Sequence, residues 1–165
     1  MIRKCFLLVL CAVMLTGCTS ATFETLGDVP HQQVDAPLPS QVILDLPENT
    51  VLAVWSQEED TLYLCQDYTA HLQTLSAGDL RTTVQKLSGF SPENLTILES
   101  RCGDHDRYEW IWVAAGEGGD VVNRCAVLSD GNFHYALTLS ANADAAGNLT
   151  AQWNSLMNSF CLENA

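Results

Sequence analysis

Basic residues are scarce in this chain. Its 165 residues include 7 Lys and Arg against 20 Asp and Glu, giving a formal net charge of −13 at pH 7. Nucleic-acid binding depends on a basic surface that neutralises phosphates, so this balance excludes nucleic acid as an expected partner. The acidic surface is expected to keep the protein in solution, and the same charge also suits cations or basic partners.

The chain also lacks a hydrophobic run long enough to cross a membrane. Residues 5–15 form an apolar stretch of 11 residues, whereas a membrane-spanning helix needs about 20. No internal repeat is present either, which excludes a solenoid or propeller. Once the N-terminal segment is set aside, the length predicts a single domain.

Sequence motifs that carry chemistry are absent as well. The sequence contains no HExxH, GxSxG, P-loop, GxGxxG or CxxC pattern. These absences disfavour a zinc protease, a serine hydrolase of the common type, a nucleotide-binding enzyme, a structural zinc site and a thioredoxin-like redox site.

The richest polar cluster is Asp104-His105-Asp106 with Glu109. Carboxylates and an imidazole gathered around a turn suit a hard cation, which makes these four residues the weak metal candidates. The loop is too short to wrap a cation, so a solvated hairpin tip is the preferred interpretation and no metal is predicted.

The N-terminus is the most specific feature of the sequence. Arg3 and Lys4 precede the apolar stretch, which ends in Leu15-Thr16-Gly17-Cys18. This arrangement resembles the lipobox of bacterial lipoprotein signal peptides. The resemblance implies cleavage before Cys18 and a covalent diacylglyceryl lipid on its thiol, with no other cofactor. An ordinary cleaved signal and an uncleaved apolar N-terminus are the alternatives.

Cleavage would leave 5 basic and all 20 acidic residues, a net charge of −15. Anionic head groups repel such a domain, so attachment must come from the lipid chains. The predicted organisation is a signal peptide over residues 1–17, a lipidated N-terminus and flexible tether over 18–40, and one domain over 41–165. The expected location is the bacterial cell envelope, on the extracytoplasmic side of a membrane, with the membrane and another envelope protein as partners.

Four cysteines remain after Cys18. An even number in an oxidising compartment predicts two disulfides with three possible connectivities, of which Cys65–Cys102 with Cys125–Cys161 is preferred. Four free thiols that behave as small hydrophobic residues are the alternative.

The fold class predicted from the pattern is α+β: an antiparallel sheet, made of an N-terminal hairpin and a four-stranded meander, packed with two helices. The hairpin is expected from residues 41–46 and 50–55, with a strand over 61–66 continuing it. The first helix is expected to be capped by Ser76, to end at Gly89, and to bury Leu80, Val84 and Leu87.

The meander is expected over residues 95–102, 107–115, 121–128 and 133–141, because only short turns separate these apolar runs. Trp110-Ile-Trp-Val113 places bulky groups on both faces, which is typical of a strand covered on both sides. The C-terminal helix has one apolar stripe, made of Leu149, Trp153, Leu156, Met157, Phe160 and Cys161.

The order of these elements resembles the PsbP-like and DcrB-like exported proteins. The resemblance is carried by Leu44-Asp-Leu-Pro47, by Phe133-His-Tyr-Ala-Leu-Thr-Leu139, and by the helix containing Trp153 and Ser159-Phe160. It covers residues 41–162 and implies a small accessory, assembly or binding module without a shared catalytic motif.

The sequence therefore leaves two alternative functions. One is a membrane-anchored extracytoplasmic lipoprotein that acts as a non-catalytic binding or accessory module. The other is an extracytoplasmic hydrolase or metal-dependent enzyme that uses His105 or His134. A contiguous exposed aromatic patch favours the first, and a deep pocket joining a histidine to carboxylates favours the second.

Overall fold

The computed structural model describes residues 36–53 and 60–163. Residues Pro37–Ala165 group into one compact unit. The signal peptide, Cys18 and most of the proposed tether lie outside the described residues, so the predictions made on them stay predictions. Within the described ranges, no helix is both long and apolar enough to span a membrane.

A seven-stranded antiparallel sheet forms the centre of the unit, in the order β2-β3-β4-β8-β7-β6-β5. The strands of this sheet are β2 (Val51–Ala53), β3 (Asp60–Leu64), β4 (Thr69–Ser76), β5 (Leu98–Cys102), β6 (His105–Gly116), β7 (Gly119–Ser129) and β8 (Phe133–Asn142). A second sheet pairs β1 (Val42–Ile43) with β9 (Cys161–Leu162).

The helices complete an α+β fold, as predicted. They are α1 (Leu80–Ser88), the short α2 (Ala143–Ala146) and α3 (Thr150–Ser159), with 3₁₀ turns at Pro92–Asn94 and Gly147–Leu149. Two separate cores form on the two faces of the sheet. The α3 face buries Trp153, Met157 and Phe160, and the α1 face buries Val84 and Trp110.

The four-stranded meander is confirmed, because β5 to β8 follow one another as antiparallel hairpins. The turns are tight. Cys102 pairs with His105 across two residues, and Gly103 takes a left-handed φ of +62° that favours glycine. Gly116 pairs with Gly119 across two further residues. Such closures fix the register of every strand that follows.

The predicted pairing of residues 41–46 with residues 50–55 is wrong, whereas the predicted continuation into the strand over 61–66 is confirmed by the antiparallel pair β2–β3. Val42 and Ile43 pair with β9 at the far end of the sequence, while Val51–Ala53 pairs with β3. The turn chemistry at Pro47 is real, since Thr50 N donates to the Pro47 carbonyl at 3.1 Å. It redirects the chain between two sheets and does not close a hairpin. The strand β4 was not predicted at all.

The first helix ends as predicted at Gly89, which has a φ of +76° and donates its N–H to the Gln85 carbonyl. Its N-cap differs from the prediction. Asp79, and not Ser76, accepts from the Arg81 N–H at 3.2 Å, because Ser76 is still the last residue of β4. Val84 is buried, with Leu80 and Leu87 packed beside it, as the spacing predicted.

Candidate functional site

One edge of the large sheet is open over half the length of β6. Strand β5 pairs with β6 only from Cys102↔His105 to Leu98↔Glu109. Beyond that rung, β6 continues to Gly116 against β7 alone. Among the described residues no strand covers the other side of this segment. We call residues 110–116 of β6 the open edge.

The two hairpins establish which backbone groups point outward. The two residues that close a two-residue turn exchange backbone hydrogen bonds, so the N–H and C=O of His105 point toward β5 and those of Gly116 point toward β7. Along a strand, the backbone groups of successive residues point to opposite edges. Counting from either turn assigns the same edge to each residue of β6. The N–H and C=O of Ile111, Val113 and Ala115 therefore point to the open side. An unpaired row of this kind is a template for another strand.

Exposed apolar side chains lie on the same residues. Ile111 is 59% exposed, Val113 is 50% exposed, and the adjacent Leu98 is 64% exposed. The sequence pattern predicted that both faces of the strand over Trp110-Ile-Trp-Val113 are covered. This prediction is wrong for the face that carries Ile111 and Val113. Trp110 and Trp112 are buried on the α1 side, whereas Ile111 and Val113, on the other face, are at least half exposed.

A groove of about 420 Å³ lies where the chain before β5 diverges from β6. Residues 94–96 and Leu98 form one wall, and Glu109 to Ile111 with Arg124 form the other. Trp110 lines it while being only 2% exposed. The indole Nε1 of Trp110 is buried and has no hydrogen-bond partner among the described residues. The Trp110 indole packs in the core on the α1 face, so this buried donor belongs to that core and not to the groove.

A charge network anchors one end of the groove to the C-terminal helix. Glu109 accepts from Arg107 Nε at 2.8 Å and from Arg124 at 2.9 Å. Arg107 also donates to the Met157 carbonyl at 2.7 Å and to the Phe160 carbonyl at 3.4 Å. These carbonyls belong to the last turn of α3, where an arginine satisfies groups that the helix cannot. The network is structural and holds the wall of the groove in place.

The weak metal candidates are not gathered. His105 and Glu109 lie on one face of β6, four residues apart, and Asp106 lies on the other face. The Asp104 carbonyl in the turn accepts from Arg101. Glu109 is occupied by two arginines. No group of three metal-ligating side chains occurs in the described ranges.

Neither histidine named for catalysis, His105 or His134, forms a hydrogen bond or ion pair with a carboxylate among the described residues. His134 is buried, and its Nδ1 lies 2.8 Å from Thr83 Oγ1 of α1. Burial lowers the pKa of His134, and the Asp130 carboxylate partly offsets this. The histidine that does contact a carboxylate within the described residues is His71, beside Asp60 on the neighbouring strand. Sequence reasoning did not single it out, because β4 was not recognised.

The four cysteines are free thiols in the structure. The preferred pairing is incompatible with the topology. Cys65 follows β3 and Cys102 ends β5, and four strands lie between those two. Cys125 is fully buried in the α1-face core, whereas Cys161 lies in β9, whose other residue, Leu162, packs in the core on the α3 face. Burial raises the pKa of Cys125 to about 12, which makes it a poor nucleophile at neutral pH.

The N-terminal end of the unit is held by Asp130. Its carboxylate accepts from the Tyr135 hydroxyl at 2.7 Å and lies 3.3 Å from Ser40 Oγ. The same side chain accepts from the Asn132 and Phe133 N–H groups across the β7–β8 turn. Burial opposes ionisation of Asp130, but these hydrogen bonds outweigh it and lower its pKa. The sequence indicated only a turn here.

No protein-family model and no curated protein matches the chain. Several solved structures do match the chain. The cyanobacterial PsbP protein CyanoP from Synechocystis aligns with a TM-score of 0.54 at 11% identity, covering 78% of this chain and 96% of its own. PA94, a Pseudomonas aeruginosa protein of unknown function, aligns at 0.50 and 12% identity, covering 79% and 89%. LpqN of Mycobacterium tuberculosis, involved in cell envelope biogenesis, aligns at 0.46 and 15%, covering 76% and 86%. The likeness to CyanoP shows that this chain has a PsbP-like fold, as the sequence resemblance implied.

Proposed function

We propose that this protein is a lipid-anchored extracytoplasmic module that binds another envelope protein and does not catalyse a reaction. The observation that carries the proposal is the open edge, where Ile111 and Val113 combine outward backbone groups with exposed apolar side chains. Contiguous apolar surface of this kind is typical of protein interaction sites. The lipobox ending in Cys18 supports the anchoring and the location.

The hydrolase alternative receives little support. An active site needs an acid, a base and a stabilising group within reach of one reacting atom. His134 is packed against Thr83, and His105 is not grouped with metal-ligating partners in the described part of the chain. The groove beside Trp110 has no histidine in its lining.

Metabolic labelling with a fatty acid, followed by membrane fractionation, tests the anchor. The parent protein should carry label and sediment with membranes, and Cys18→Ser should lose both properties. Cys161→Ser is the matched control, because it removes a thiol outside the lipobox, and it should behave as the parent. Label on the Cys18→Ser variant would refute the anchor.

Chemical cross-linking in intact cells, followed by purification from membranes, tests the binding role. The parent protein should yield a defined adduct with one envelope protein. The same adduct should decrease in Cys18→Ser, because release from the membrane lowers the local concentration of the partner. A parent protein that yields no adduct above background would contradict the proposal.

A further inference from the structure

We infer that the open edge recognises an extended peptide segment of its partner, which adds to the large sheet as an eighth strand beside β6. This inference rests on the proposed binding function and specifies its recognition mode. Strand addition derives affinity from main-chain hydrogen bonds and specificity from alternating side chains.

The backbone determines the form of the occupant. Ile111, Val113 and Ala115 each present an outward N–H and C=O, and only another extended backbone can meet all of them in register. Strand β5 cannot do so, because its pairing stops at Leu98↔Glu109. The groove beside Trp110 begins at that point, so an incoming strand would continue the line of β5.

The side chains determine the pattern of the occupant. Ile111 and Val113 point to the same face and are both at least half exposed. A strand lying beside them presents side chains to that face at every second position. The peptide should therefore carry apolar residues at alternate positions, and one of them should enter the groove between Leu98 and Ile111.

The charges near the open edge favour a basic peptide over a second copy of this chain. Ala115 pairs with Asp120, and Glu117 lies in the adjoining turn, so two exposed carboxylates flank this end. At the other end, Arg124 is already paired with Glu109. A second copy would bring another net charge of −15 to the interface once the signal is removed. A Lys or Arg beyond the last apolar position is the complementary choice.

Panning a random ten-residue peptide library on the detergent-solubilised full chain tests the inference. Enriched peptides should alternate apolar residues and contain a Lys or Arg at one end. Val113→Pro removes an outward N–H while leaving the bonds to β7 in place, and it should weaken binding of an enriched peptide by about tenfold. Val113→Thr keeps the N–H and the β-branched shape, and it should stay within about threefold of the parent.

Amide hydrogen exchange gives a second measurement that needs no variant. In the free protein, the N–H groups of Ile111, Val113 and Ala115 should exchange faster than those of Trp112 and Ala114, which bond to β7. The enriched peptide should slow the first three and leave the other two unchanged. Protection at Val51–Ala53 on the opposite edge, protection caused by concentration-dependent self-association, or failure to enrich any peptide would each overturn the inference. None of these results would remove the adduct expected from cross-linking in intact cells, so the recognition mode and the binding function fail separately.

Discussion

The C-terminal helix provides the sharpest stability prediction, through Phe160→Ala. Phe160 is fully buried in the core on the α3 face, among Trp153, Leu156 and Met157. Its carbonyl accepts from Arg107 and its N–H donates to the Leu156 carbonyl, and both bonds involve only the backbone of Phe160. Alanine keeps these hydrogen bonds, so the variant measures the loss of the ring alone.

The expected cost follows from the cavity that the ring leaves. Truncation of a buried phenylalanine lowers the free energy of unfolding by about 3 to 5 kcal/mol, which is a large part of the roughly 5 to 15 kcal/mol available to a domain. With a urea m-value of about 1 to 3 kcal/mol/M, the unfolding midpoint should fall by about 1 to 5 M, and by about 2 M at the middle of both ranges.

Urea unfolding followed by tryptophan fluorescence measures this shift. Phe90→Ala is the matched control, because Phe90 is 39% exposed after the end of α1, and its midpoint should stay close to that of the parent. If Phe160→Ala unfolds at the same midpoint as Phe90→Ala, the C-terminal helix is not core and the assignment of its apolar stripe to packing is refuted.

Three further predictions follow from titratable groups. Hydrogen bonds lower the pKa of Asp130, so the ionised side chain stabilises the fold above its unfolded-state pKa, and this stabilisation is lost as the pH falls through its folded-state pKa. Between pH 5 and 2, the urea midpoint should therefore fall less steeply in Asp130→Asn than in the parent. Equal slopes would contradict this. Burial lowers the pKa of His134, so its protonation disfavours the folded state, and the free energy of unfolding should decline as the pH drops below about 6.5. His134→Asn should remove part of that decline. A pH profile identical to that of the parent would contradict this role of His134. Cys125, with a pKa of about 12, should resist iodoacetamide at pH 8 until urea is added. The three partly exposed cysteines should react in the native protein: Cys65, Cys102 and Cys161. Alkylation of native Cys125 as fast as that of Cys102 would show that Cys125 is not buried.

Local patterns explain which parts of the fold could be predicted. The meander follows from apolar runs separated by turns of two or three residues, and both features are encoded within each hairpin. The pairing of Val42 with Leu162 joins residues far apart in sequence, so no local pattern indicates it. Strand β4 escaped recognition because Thr69–Ser76 mixes polar residues with half-buried leucines.

The candidate site, too, was predictable only as far as local sequence patterns determine it. Trp110 to Val113 was recognised as an apolar strand, but whether each face is covered depends on where α1 and α3 pack, which is a tertiary property. The open edge could not be predicted in this way, because the sequence pattern indicated strands of similar length over residues 95–102 and 107–115. In the structure β6 has 12 residues, whereas β5 has only 5. The disulfide pairing failed because sequence spacing does not show which strands are neighbours.

Residue-specific photo-cross-linking in living cells tests the central claim most directly. A photoreactive amino acid replaces Val113 at the open edge, or Leu52 on the opposite edge, where the side chain is 59% exposed. Position 113 should yield an adduct with one envelope protein, joined within a segment that alternates apolar residues and ends in Lys or Arg, and position 52 should not. Identical adducts from both positions, or none from position 113, would contradict the account of this protein as a binding module that acts through β6.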